Sequence, residues 1–197
     1  MTIIAAIATP DRVVMGCDTR ADYGGTAIHK ADGKIGIFDL AGERVLIGIS
    51  GHGGILAVLQ RRLKLPDFLD SSSNAGADEW ANHLAEAATT VLAETNPPLL
   101  TVADADGSAS FDGIGLLAWR QHVWVLQTHY ALRPASGIAA IGCGTDLALG
   151  SLHTSKLSGT DPEQAVQIAV QLACVHISGC GIDERGPLTY ATEDIGA

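Results

Sequence analysis

The stretch MTIIAAIATPDRVVMGCD places apolar runs directly after Met1 and Thr2. Two short apolar runs, Ile3–Ala8 and Val13–Cys17, flank the polar turn Thr9-Pro10-Asp11-Arg12 and read as a β-hairpin. The first strand is therefore destined for the core, and only Met1 and Thr2 precede it. Thr2 is small, and an initiator methionine is usually removed before a small residue. Its removal would leave a free α-amine and a hydroxyl on one residue at the head of that strand.

Turn residues and apolar periodicity organise the rest. Residues 21–25 read as a loop, Ala31-Asp32-Gly33 as a turn that delivers Lys34 into a strand at 35–39, and Leu40-Ala41-Gly42-Glu43 as a second turn before a strand at 44–50. The glycine-rich stretch Gly51-His52-Gly53-Gly54 follows. Leu56, Leu59 and Leu63 recur at helical spacing over 55–63, and Pro66 closes that segment. After a serine-rich loop at 71–74, a second helix is predicted over 78–95, with Trp80, Leu84, Ala88 and Val91 on its buried face. Strands are predicted at 113–119, 122–128 and 138–141, then a helix at 145–157. Asp161, Pro162 and Gln164 form a capped start for a further helix that reaches Val175 or beyond, and a strand at 188–191 closes the chain. Strands, two helices, strands and two helices in that order suggest two sheets packed face to face and covered by helices, a four-layer αββα sandwich, as one option among several α+β folds. At 197 residues the expectation is a single domain over 1–197.

Composition narrows the partners. A formal charge of −10 with only 12 Lys and Arg argues against a phosphate-tracking surface, so no nucleic-acid partner is expected. No apolar run approaches the roughly 18 residues of a membrane helix, and the opening stretch lacks a basic leader, so a cytoplasmic protein without a membrane partner is expected. Cys17, Cys143, Cys174 and Cys180 follow no zinc spacing, and neither metal nor cofactor is expected. His29, His52, His122, His129 and His176 read as surface or core histidines.

Thr2, the run Val13-Val14-Met15-Gly16-Cys17-Asp18-Thr19-Arg20-Ala21, Lys34 and the run Val45-Leu46-Ile47-Gly48-Ile49-Ser50-Gly51 together resemble the catalytic β subunits of the proteasome and the bacterial HslV-type peptidase. In that family a mature N-terminal Thr is followed at fixed spacing by an Asp, a Lys and a Gly, and Thr2, Asp18, Lys34 and Gly48 match those places. Ala140-Ile141-Gly142-Cys143-Gly144 resembles the family's Gly-Ser-Gly turn before a helix, and Ser178-Gly179 resembles its Ser-Gly helix end. The middle of the chain matches in element order alone. Taken singly, Thr2 also reads as a frayed terminus, Asp18 and Lys34 as a structural ion pair, and Gly48 as a tight backbone.

The resemblance implies a threonine endopeptidase working through an acyl-enzyme. The Thr2 amine serves as base for its own hydroxyl, Lys34 disfavours protonation of that amine, Asp18 aims Lys34, and the Gly48 N–H stabilises the oxyanion. Cys143 stands where the family usually has a serine, and Ser178 supports the amine. Val175 stands where the proteasome, but not HslV, has an aspartate. Around the substrate the resemblance points to Ala21, Asp22, Asp32, Leu46 and Ser50, with Asp22 replacing a usual threonine. It further implies homo-oligomeric stacked rings, a peptide or unfolded-protein substrate and a separate AAA+ unfoldase, since no nucleotide-binding loop is present in the chain. The alternatives are an amidase or peptide ligase on the same scaffold, and a non-catalytic ring subunit or binding scaffold that retains Met1.

Overall fold

Apolar runs without polar alternation are the signature of strands buried on both faces, and the N-terminal hairpin is used in that way. A computed structural model describes residues 1–68, 73–102 and 109–193. Its elements, in chain order, are β1 (Ile3–Ala8), β2 (Val13–Cys17), β3 (Arg20–Tyr23), β4 (Thr26–His29), β5 (Ile35–Leu40), β6 (Glu43–Gly51), α1 (Gly54–Arg62), α2 (Asn74–Ala93), β7 (Leu100–Val102), β8 (Ala109–Phe111), β9 (Gly113–Trp119), β10 (His122–Gln127), β11 (Tyr130–Leu132), β12 (Ile138–Gly142), α3 (Thr145–Leu157), α4 (Pro162–His176) and β13 (Leu188–Ala191). None of the described helices is long and apolar enough to cross a membrane.

One sheet has the order β12-β1-β2-β13 and the other β11-β10-β9-β6-β5. In β1 the register Ile4↔Cys17 and Ile4↔Ile141 puts β2 and β12 on its two sides. Side chains then alternate between two cores, as a period of two requires. Ile3, Ala5 and Ile7 pack with Ala148, Leu152, Val166 and Val170 of α3 and α4. Ile4 and Ala6 pack between the sheets with Met15, Leu46, Leu116 and Ile141. In the second sheet Val45, Ile47 and Trp119 face α1 and α2, and Leu46 and Ala118 face the first sheet. Three apolar interfaces separate four layers, which is the expected αββα sandwich.

Helix ends follow local chemistry. The Asp161 carboxylate accepts from the N–H groups of Glu163 and Gln164 at 3.0 and 3.1 Å ahead of α4, which satisfies two donors that a helix start leaves unpaired. The Ser73 hydroxyl accepts from Gly76 N–H at 3.1 Å, so α2 begins four residues earlier than the apolar spacing implied. Of the expected loop at 71–74, residues 71 and 72 lie outside the described residues, and Asn74 is already helical. Residues 21–25 are not a loop. They form three residues of β3 and the turn of the hairpin β3–β4, closed by Gly24 and Gly25 at φ 56° and 85°, the left-handed geometry of a tight two-residue turn. The short strands β7, β8 and β11 were likewise not foreseen.

Trp119 anchors the helical side of the second sheet. It is 1% exposed, its ring lies 4.5 Å from those of Trp80 and Phe68, and its Nε1–H donates to Glu43 at 2.8 Å. The Arg120 guanidinium sits 4.3 Å from the same ring and donates twice to Glu43, whose carboxyl it holds below the usual range. Trp119→Ala is expected to cost about 3–5 kcal/mol in denaturant unfolding. Because the folded-state pKa of Glu43 is lowered, its contribution is complete above the ordinary carboxylate range and is lost as pH falls through the depressed value. The stability difference between wild type and Glu43→Gln should therefore be present at neutral pH and vanish in acid.

Candidate active site

Asp18 follows the last residue of β2 and stands opposite Ile3. Its backbone N–H donates to Ile3 C=O at 3.2 Å, and its side chain accepts from Ile3 N–H at 3.0 Å. The same carboxylate accepts from Lys34 Nζ at 2.6 Å and from Gly181 N–H at 3.1 Å. Asp18 is fully buried and Lys34 is 6% exposed. A buried charge without partners costs several kcal/mol, and here three donors share two oxygens. Lys34 is delivered by the turn before β5, and its second contact is the Met1 C=O at 3.1 Å. That carbonyl is bonded to the Thr2 nitrogen, so the ammonium lies beside the head of the chain.

Thr2 is 6% exposed. Its carbonyl accepts from Cys143 N–H at 2.9 Å and from the Cys143 thiol at 3.4 Å. Gly142, at φ 102°, makes this approach possible, because a side chain there would overlap the Thr2 carbonyl. Gly142-Cys143-Gly144 then leads directly into α3. The Ser178 carbonyl accepts from Arg20 at 3.1 Å, and the next residue, Gly179, lies against the Met1 side chain. Among the sequence-derived site residues, the structure thus gathers Thr2, Asp18, Lys34 and Cys143 around one terminus, with Ser178 next to the glycine that meets Met1.

Thr2 and Lys34 open onto a cleft of about 130 Å³ whose walls also include Met1, Ala21 and Asp22 of β3, and Ile49, Gly51 and His52 at the end of β6. Arg20 donates to Asp22 at 2.9 Å and holds its carboxyl below the usual range. Three expected residues do not line the cleft: Leu46 is fully buried between the sheets, Asp32 is outside its walls, and Gly48 sits in mid-strand against Ile4 and Met15, while the Ser50 hydroxyl stands beside the Gly142 turn that approaches the Thr2 carbonyl.

The ladder explains the displacement of Gly48. Ile49 donates to Lys34 C=O on the β5 side, and His52 donates to Asp112 C=O on the β9 side. Backbone groups alternate along a strand, so the Gly48 N–H is directed at β9. The Gly51 N–H is directed at the β5 side, beyond the first residue of that strand, where the cleft opens. Gly51 also has φ 146° and lies so close to the Asp112 carbonyl that a side chain would collide with it. Gly51 and Ile49, rather than Gly48 and Leu46, line the cleft.

Removing one partner of the buried pair is expected to be severe. Asp18→Ala should cost about 3–5 kcal/mol by urea titration, and adding Lys34→Met should recover part of that loss because the stranded ammonium is gone.

No protein-family model matches the sequence, and no curated protein matches it. Solved structures do. BPH from Thiobacillus denitrificans superposes with a TM-score of 0.71 at 17% identity over 97% of both chains, and its complex with epoxomicin gives 0.70. HslV from Trypanosoma brucei gives 0.61 at 18% identity over 96% of this chain and 98% of that one. Anbu, an ancestral beta-subunit from Yersinia bercovieri, gives 0.67 at 14% identity over 96% of this chain and 81% of that one. These matches run over nearly the whole of this chain and show a shared fold: this chain has the proteasome-like four-layer αββα fold.

Proposed function

We propose that the chain, once Met1 is removed, is a threonine peptidase with Thr2 as nucleophile. The observation that carries this reading is the position of Thr2 in a cleft, directly beside a buried Lys34–Asp18 pair. A threonine hydroxyl is a poor nucleophile and needs a base within hydrogen-bond reach, which a free amine on the same residue supplies. As the Thr2 oxygen attacks a peptide carbonyl, its proton passes to the amine and negative charge collects on the carbonyl oxygen. The Gly51 N–H faces the cleft to meet that charge. Collapse forms the Thr2 ester and expels the amine product with the transferred proton. Water, activated by the same amine, then hydrolyses the ester. An extended peptide fits between the edges offered by β3 and by the end of β6, with Ile49 as an apolar contact.

The fold neighbours support this reading, and the epoxomicin complex of BPH supplies a probe. The exposed faces are consistent with assembly into stacked homo-oligomeric rings: Ile168, Leu172 and Val175 line one face of α4, and Tyr23 and Ile28 project from the β3–β4 hairpin. Such a ring would take unfolded chains from a separate AAA+ unfoldase. The competing reading, a non-catalytic scaffold that retains Met1, draws on the seat Met1 occupies, with its carbonyl on Lys34 and its side chain against Gly179.

Intact mass and epoxyketone labelling separate the two. The peptidase reading expects loss of Met1 and one adduct on Thr2, absent in Thr2→Ala, because the probe closes a ring with both the hydroxyl and the amine. Retained Met1 with no adduct would refute it. Peptide hydrolysis should also rise with pH through a midpoint below about 7.7, the ordinary range of an α-amine, since the neighbouring ammonium opposes protonation.

A further inference from the structure

Cys143 is at the turn that cradles the Thr2 carbonyl, and Cys180 lies just beyond the loop that follows α4. They are 37 residues apart in sequence, yet their sulfurs are 3.4 Å apart and share a thiol hydrogen. Cys143 is exposed, whereas Cys180 is 4% exposed within the core beneath α3 and α4. The pair straddles the terminus. The Cys143 N–H and thiol both donate to the Thr2 carbonyl, and Gly181, the residue after Cys180, donates to Asp18 and accepts from the N–H groups of Thr19 and Arg20.

We propose that Cys143 and Cys180 form a peroxide-responsive dithiol whose closure to a disulfide lowers the activity of the adjacent Thr2 site. A disulfide requires sulfurs about 2.05 Å apart, so the two sulfurs have to close by about 1.4 Å. The oxidant is hydrogen peroxide or an organic hydroperoxide. The exposed Cys143 thiolate attacks the peroxide oxygen, the O–O bond breaks, and Cys143 becomes a sulfenic acid as the peroxide is reduced to water or an alcohol. The Cys180 sulfur then attacks the Cys143 sulfur. The S–O bond breaks, the S–S bond forms, and the hydroxyl leaves as water with the Cys180 proton. Two thiols lose two electrons and the peroxide gains them.

The exposed and buried members divide these roles. Burial pushes the Cys180 thiol well above its ordinary range, and burial holds Cys17 at about 11 and Cys174 at about 12. Those three meet peroxide poorly, because the thiolate is the reactive form. Cys180 reacts once the sulfenic acid has formed within its contact distance. In the disulfide the Cys143 sulfur carries no proton, so its donation to the Thr2 carbonyl ends. The closure also draws the Thr2 turn toward the segment that holds Asp18. This effect on activity rests on the peptidase reading, whereas the disulfide does not.

The test uses the full chain, reduced, then treated with hydrogen peroxide and mapped under non-reducing conditions. A Cys143–Cys180 linked peptide, reversed by dithiothreitol and missing in both Cys143→Ser and Cys180→Ser, is expected. Cys180→Ser should instead leave a Cys143 sulfenic acid that dimedone traps. Oxidation of Cys143 to the sulfinic acid with Cys180 still free, or linkage to Cys174, would overturn the proposal. Peptide hydrolysis should fall about fivefold on oxidation, the equivalent of one lost neutral hydrogen bond, and recover on reduction. A linked protein with unchanged hydrolysis would overturn the proposed control. Absence of hydrolysis even in the reduced protein would count against the peptidase reading, while the peptide map still decides whether the disulfide forms.

Discussion

The carboxylate of Asp18 is withdrawn from water and accepts from Lys34, the Ile3 backbone and the Gly181 backbone. A buried charge is tolerated only when its hydrogen-bonding capacity is met. That requirement pins three distant pieces of chain to one point: the first residue of β1, the turn before β5 and the segment after α4. Thr2 is one peptide bond from the first of these, so its position follows from the electrostatics of a neighbour rather than from contacts of its own side chain. The Cys143 turn then fixes the Thr2 carbonyl from the other side.

Burial of β1 on both faces gives this arrangement its stiffness. A strand between two cores cannot shift register by one residue without exchanging the side chains that face the helices for those that face the other sheet. Ile3 and Ile4 are both fully buried, one in each core. The residue proposed to react is thus the end of a rigid element, which holds geometry better than a loop does. The wall opposite is of a different kind. The β3–β4 hairpin has an exposed tip, with Tyr23 at 78% exposure, and Arg20 ties it down through Asp22 and the Ser178 carbonyl.

Much of this architecture was legible in the sequence because burial leaves a pattern. The hairpin β1–β2 and the N-terminal cap of α4 carried strong local signals. Exposed strands carry none: the β3–β4 hairpin has no apolar alternation, and its Gly24-Gly25 turn was the sole clue. The displacement from Gly48 to Gly51 has a different cause. Residue counting from Thr2 reaches Gly48, but which N–H faces the cleft depends on how β6 pairs with β5 and β9. A three-residue difference reverses that side. Leu46 and Ser50 share the parity of Gly48, and Ile49 shares that of Gly51. The Cys143–Cys180 contact is a tertiary fact that no spacing encodes.

The same geometry bears on how a threonine amine becomes a base. With Met1 in place, Lys34 donates to two acceptors, the Asp18 carboxylate and the Met1 carbonyl. Removing Met1 deletes the second acceptor and exposes an amine in its neighbourhood. As a protonated cation that amine repels the ammonium of Lys34, which Asp18 prevents from moving away. As a neutral amine it accepts a hydrogen bond in place of the lost carbonyl. Desolvation acts in the same direction, because burial disfavours a second positive charge more than it disfavours a neutral donor–acceptor pair. In the proposed mechanism the buried pair therefore selects the protonation state of its neighbour, and excision of one methionine converts a structural ion pair into part of a catalytic base.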